Sequence, residues 1–310
     1  MIAFVFPGQG SQKVGMGQAL AEQLPECRET LDQADAALGM GLSSLCFDGP
    51  EERLRLTEYT QPAMVAVSTA AVRALTARGV RPDFLAGHSL GEYSAHVAAG
   101  TLGFGDALRT VRSRGRYMQE AVPVGEGAMA AILGLDVDGV ARACDEAAQG
   151  EVVSPANLNA PGQVVIAGAR AAVERAGARA KELGARRVLP LPVSAPFHCA
   201  LMRPAEERLA QDLNRLVVAD PAIPVVANVD AEPKLDGAAA IAALVDQVTA
   251  PVRWEQVVRR LASEGVDTYV EVGSGSVLSG LIRKIDREAR VLSVCDPDGV
   301  QHAVSTLAMS

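Results

Sequence analysis

This sequence predicts an α/β fold: a mainly parallel sheet with helices on both faces, plus a smaller α+β unit inserted into it. Three observations carry that prediction. Apolar runs of strand length alternate with longer helical patterns along the 310 residues. The chain is 49 % apolar but only 4 % aromatic, so its core must be mostly Ala, Val and Leu, as in helix-covered sheets. The middle of the chain keeps a different rhythm, with two strand-like runs each followed by a charged, alanine-rich helix.

Taken in order, residues 2–6 form a first strand. They lack a basic leader and are broken by Pro7-Gly8, which argues against a signal peptide. Residues 62–77 read as a helix, and 84–86 as a buried strand that runs into Gly87-His88-Ser89-Leu90-Gly91 and an alanine-rich helical stretch. A helix follows over 104–122. Residues 127–135 and 163–167 are strand-like, their helices cover 137–149 and 169–183, and 187–191 is a further strand. The natural parse is a compact β-α-β unit inserted between about residues 123 and 195. The large domain is then discontinuous, 1–122 and 196–310, with a substrate cleft expected between the two. Helices over 202–217 and 251–264 and strands over 225–229 and 268–272 complete it.

Composition excludes several function classes. The 29 basic against 37 acidic residues give −8, which argues against general nucleic-acid or membrane-surface binding. No stretch approaches 18 uninterrupted apolar residues. Cys27, Cys46, Cys144, Cys199 and Cys295 are scattered and odd in number, so neither a disulfide framework nor a zinc site is expected, and a reducing cytoplasm fits best. Gly8-Gln9-Gly10 and Gly273-Ser274-Gly275 both lack the third glycine of a dinucleotide loop, and neither is followed by Gly-Lys-Ser/Thr.

The chemistry concentrates at Gly87-His88-Ser89-Leu90-Gly91. A Gly-x-Ser-x-Gly turn between strand and helix holds a serine hydroxyl clear of the sheet at a helix N-terminus, where amides favour a developing oxyanion. Ser89 is therefore a candidate nucleophile for acyl transfer. The alternative is a capping box, with Ser89 and Glu92 satisfying orphan helix amides.

Such a serine needs a base. His88 adjoins Ser89 and should point away from it. His96 lies two helical turns on, about 10 Å away, and His302 sits in the last ten residues. His198 remains, in a charge-free stretch over 188–202 at the edge of the inserted unit, against the alternative of a buried structural histidine. No acidic residue announces itself as a third member. Cys199 beside it reads as packing.

On a helix over 104–122, Arg109, Arg112 and Arg116 share one side, while Arg114 falls on the apolar face. An inward guanidinium needs an anion: either an internal Asp or Glu, or a substrate carboxylate held bidentately. A nucleophilic serine facing such an arginine suggests an acyl group carrying its own carboxylate.

The run Phe4-Val5-Phe6-Pro7-Gly8-Gln9-Gly10-Ser11-Gln12, the serine motif through Glu92, Arg114-Gly115 with Met118-Gln119-Glu120, and Phe197-His198 together resemble the malonyl-CoA:acyl carrier protein transacylases over the whole chain. The resemblance implies that Ser89 carries the acyl group, His198 is the general base and Arg114 holds the malonyl carboxylate. It implies an oxyanion hole from the amides of Gln9 and Leu90, and a main-chain carbonyl of Gln247 that orients the histidine. It further implies a ferredoxin-like small subdomain at 123–195, ping-pong transfer from malonyl-CoA to the phosphopantetheine of acyl carrier protein for fatty-acid or polyketide synthesis, no metal or redox cofactor, and a monomer. In related polyketide domains a bulky residue before the histidine accompanies malonyl, which makes Phe197 an acyl-pocket residue. Met129 is a second, with plain core as its alternative. For carrier docking, Arg283 and Lys284 are preferred from the resemblance over Arg186-Arg187 and the Arg109/Arg112/Arg116 stripe, each of which also reads as solvated charge.

Two rivals remain at this level. An α/β-hydrolase shares the serine motif but wants a late histidine, which only His302 supplies. A non-catalytic carrier-docking relative would not need Ser89, His198 and Arg114 together.

Overall fold

The computed structural model describes residues 1–193 and 195–308. Its strands are β1 (Ile2–Phe6), β2 (Phe84–Gly87), β3 (Gly127–Leu133), β4 (Val153–Ala160), β5 (Gln163–Ala169), β6 (Arg187–Pro190), β7 (Val225–Val226), β8 (Pro233–Lys234), β9 (Thr268–Val272) and β10 (Arg290–Val294). Six of them form one sheet in the order β10-β9-β1-β2-β7-β8, parallel except for the short antiparallel edge β8.

Strand alternation explains the two helical layers. Phe4 and Phe6 point into a core shared with Ala70, Ala74, Ala95 and Val300, while Ala3 and Val5 point the other way, onto Trp254, Val257, Leu278 and Ile282. Every residue of β2 and β9 is buried, as expected of a sheet covered on both faces.

The middle of the chain runs β3, helix Val137–Ala147, β4, β5, helix Arg170–Glu182, β6, and pairs as an antiparallel sheet ordered β4-β5-β3-β6. This is the ferredoxin-like β-α-β-β-α-β arrangement. The simple β-α-β parse therefore lacked β4, whose pairing with β5 is interrupted by register shifts around Pro155 and Leu158 that break the apolar alternation. One face of this sheet packs on its two helices through Ile132, Val164, Val140 and Ala176. The other carries Met129, Val165 and Ala167 against Cys199 and Phe197 of the larger unit. The edge strand β4 is also tied to the chain just beyond Gln247, with Val252 N donating to Ala156 O and Leu158 N to Val252 O.

Several boundaries differ from the sequence reading. The helix expected from Pro62 begins at Thr57, because buried Thr57, Thr60 and Gln61 extend it and tertiary packing overrides the proline. The 202–217 helix is a short 3₁₀ turn followed by Arg203–Leu213, and the 225–229 strand is only two residues long. Helices within 18–54 and at Gly237–Asp246, Val277–Ile285 and Pro297–Leu307 have no counterpart in the sequence reading. Among the described residues, no helix is long and apolar enough to cross a membrane, and no His/Cys/Asp/Glu group is arranged to hold a metal.

Candidate active site

Between β2 and the helix Gly91–Ala98 the chain turns so sharply that Ser89 takes φ 50°, the left-handed region that ordinarily favours glycine. Both flanking glycines are required by contact. A Cβ on Gly87 would stand 1.9 Å from the Gly91 carbonyl carbon, and one on Gly91 would stand 2.0 Å from the Phe6 carbonyl oxygen. The turn after β1 packs against this elbow, since a Cβ on Gly8 would meet His88 O at 2.6 Å. The capping-box alternative is not what forms. The helix has Leu90 at its N-cap with no side-chain cap bond, and the Glu92 carboxylate turns inward, to Asn228 N at 3.0 Å and Gln247 Nε2 at 2.9 Å.

Ser89 Oγ lies 2.7 Å from His198 Nε2, across 109 residues of sequence. The other ring nitrogen, Nδ1, lies 2.9 Å from the main-chain oxygen of Gln247. A carbonyl can only accept, so the proton sits on Nδ1 and Nε2 is left to accept from the serine hydroxyl. Burial, and after it the cation of Arg114, push the imidazole down to about 3, so the free base is the resting form. His88 points elsewhere, with Nε2 at 2.8 Å from Asn159 Oδ1 and its ring near Trp254. His96 is wholly buried and His302 is exposed. Cys199 is buried, donates to Pro196 O and is pushed up to about 11 by burial, which leaves it a packing thiol.

Arg114 is 2 % exposed. Gly115 beside it lets its helix, Phe104–Glu120, press onto the helix Thr57–Ala77, where a Cβ would meet Thr57 O at 2.6 Å. The guanidinium donates to three neutral oxygens: Gln61 Oε1 at 3.0 Å, Gln247 Oε1 at 2.9 Å and Ser89 Oγ at 3.2 Å. The internal ion pair weighed as an alternative is absent among the described residues. The buried cation has polar partners but no paired anion, and it faces the serine.

These groups meet in a cavity of about 480 Å³ whose wall includes Gln9, Leu90, Arg114, Met129, Phe197 and His198. Gln247 stands behind the histidine, wholly buried. Arg283 and Lys284 lie apart from the cavity, exposed near the end of the helix Val277–Ile285, where Lys284 Nζ reaches Gln163 Oε1 of the small sheet.

Residues 3–303 match the acyl transferase domain family. The chain is 48 % identical over 307 residues to the malonyl CoA-acyl carrier protein transacylase of Bacillus subtilis, covering 99 % of this chain and 97 % of that protein. It is 51 % identical over 303 residues to the enzyme of the same name from Escherichia coli K12, covering 97 % and 98 %. The chain belongs to the acyl transferase domain family, among the malonyl-CoA–acyl carrier protein transacylases. Solved structures agree. The family member from Coxiella burnetii superposes with a TM-score of 0.97 at 45 % identity, covering 99 % of this chain and 97 % of that one. A malonyl-transacylase in complex with its type II PKS acyl-carrier protein gives 0.96 at 47 % identity, covering 98 % and 99 %.

Sequence reasoning missed three residues of this family member's site: Gln61, Asn228 and the inward role of Glu92. Asn228 accepts from the Ser89 amide at 2.7 Å and donates to Gly87 O at 2.7 Å. A buried asparagine at the end of an apolar run over 225–229 was the available signal.

Proposed function

We propose that the chain transfers a malonyl group from malonyl-CoA to the phosphopantetheine thiol of acyl carrier protein through an ester on Ser89. The observation that carries the choice of acyl group is the buried, unpaired guanidinium of Arg114 beside Ser89. A carboxylate on the acyl chain supplies the anion that this site lacks.

In this reading His198 Nε2 takes the Ser89 proton as Oγ attacks the thioester carbonyl, and the amides of Gln9 and Leu90 stabilise the oxyanion. The carbon–sulfur bond breaks, and His198 returns its proton to the CoA sulfur. The carrier thiol then gives a proton to His198 and attacks the ester, and Oγ recovers that proton as it leaves. Every step balances with one proton shuttled on His198, so no metal or redox cofactor is invoked. Gln247 keeps the imidazole in the required tautomer, and Met129 and Phe197 bound the acyl pocket. The carrier docks by Arg283 and Lys284. Five unpaired cysteines support a cytoplasmic setting.

The test is intact-protein mass after brief incubation with malonyl-CoA, then with carrier protein added. A malonyl increment on the chain that moves to the carrier, and is missing in Ser89→Ala, is the expected result. An adduct in Ser89→Ala at the normal rate overturns the assignment of the nucleophile.

A further inference from the structure

The proposed reaction leaves Glu92 without a task, although it sits three residues beyond Ser89 and is 0 % exposed. A carboxylate taken fully out of water is costly unless it is well bonded. Both of its hydrogen bonds land on one oxygen. Oε2 accepts from Asn228 N at 3.0 Å and from Gln247 Nε2 at 2.9 Å, while Oε1 has no partner among the described residues.

The two donors each hold part of the serine–histidine pair. Asn228 bonds the backbone on both sides of the elbow, at Ser89 N and Gly87 O. Gln247 uses the same side-chain nitrogen to reach Ser89 O at 3.0 Å, and its main-chain oxygen takes the Nδ1–H of His198. Two separate segments of the chain therefore converge on one carboxylate oxygen of a third.

We propose that Glu92 is a positioning residue, whose Oε2 fixes Asn228 and Gln247 to one another and thereby sets the Ser89–His198 geometry. This rests on the serine–histidine reading above. The acceptor matters here, not the charge. Burial pushes the carboxyl up to about 7, with Asp230 adding to it and Gln247, Asn228 and Arg114 opposing, and Tyr93 is the other titratable group it acts on. A proton on Oε1 leaves both bonds at Oε2 in place.

The experiment compares Glu92→Gln, which keeps an acceptor at that point, with Glu92→Leu, which keeps the size and removes it. Single-turnover acylation of each folded protein by malonyl-CoA is followed by mass. The glutamine variant stays within about threefold of the parent, and the leucine variant slows roughly ten- to a hundredfold at saturation, as buried donors lose their acceptor. A role in stability alone lowers the melting temperature and leaves acylation unchanged, so a leucine variant acylating at the parental rate overturns the proposal. So does a glutamine variant slowed more than about tenfold, which decides the matter even where the leucine variant does not fold. The low-field proton resonance of His198 Nδ1 gives a second readout, expected to shift in the leucine variant and not in the glutamine variant. An unmoved resonance also overturns the proposal, and this reading survives a parent that takes up no malonyl group, which would instead defeat the function proposed above.

Discussion

Replacing Arg114 by alanine separates recognition of the acyl carboxylate from the chemistry at its thioester. The guanidinium is 2 % exposed and hydrogen-bonded only to neutral oxygens, so an incoming carboxylate has no bonded anion to displace. Two unit charges about 4 Å apart at an effective dielectric of about 20 attract by about 4 kcal/mol. Desolvation of the carboxylate works against that attraction, and the hydrogen bonds to Gln61 and Gln247 disappear with the side chain. The change should therefore fall at roughly 2–5 kcal/mol. That is a drop of about thirtyfold to several thousandfold in kcat/KM for malonyl-CoA. Acetyl-CoA carries no carboxylate on its acyl group and should lose little. The assay is the rate of covalent acylation with each thioester across pH. Arg114 is the second cause, after burial, that holds His198 down at about 3, so its removal should also move the acid limb for acetyl-CoA to higher pH. An equal fall for both thioesters would refute the carboxylate clamp.

Three further outcomes are expected. Gly91→Ala would force a Cβ to within 2.0 Å of the Phe6 oxygen, a main-chain atom of the central strand. It should cost more than about 3 kcal/mol of stability, and an unchanged melting temperature would contradict that close approach. His96 is buried with neither ring nitrogen bonded and is pushed down to about 4 by burial. A lowered histidine contributes stability present above its unfolded value near 6.5 and lost as pH falls toward the folded one. His96→Leu should therefore flatten the loss of stability between pH 6.5 and 4, by about 3 kcal/mol at the lower end. Urea unfolding at a series of pH values measures it, and an unchanged slope would mean that the imidazole is not desolvated. Reversing Arg283 and Lys284 to glutamate should slow delivery to the carrier more than loading by malonyl-CoA, most clearly at low salt. Unaltered, salt-insensitive delivery would remove that docking face.

What could be seen in the sequence was local or periodic. Ser89 showed through a five-residue turn motif, and Arg114 through a helical period that set it apart from Arg109, Arg112 and Arg116. Strands β1, β2 and β9 stood out because burial on both faces makes them continuous apolar runs. The hidden parts depend on tertiary meeting points. Gln61 and Asn228 are neutral polar residues whose partners lie 53 and 139 residues away, so nothing near them in the chain announces a role. Strand β4 was hidden by its bulged pairing, and the helix from Thr57 by a proline that usually marks a helix start. The serine–glutamate pair carried two readings at once. Its spacing fits a helix cap, but the carboxylate finds better partners inward.

A backbone carbonyl, rather than a carboxylate, stands behind His198. It fixes the ring's tautomer without lending it a full negative charge, and its hydrogen bond only partly offsets the burial and the nearby cation that hold the imidazole neutral. Held neutral, the ring rests in the form that can accept a proton at Nε2. In the proposed cycle the serine hydroxyl and the carrier thiol present themselves to the same ring nitrogen in turn, so the ring need not be reoriented between the two half-reactions.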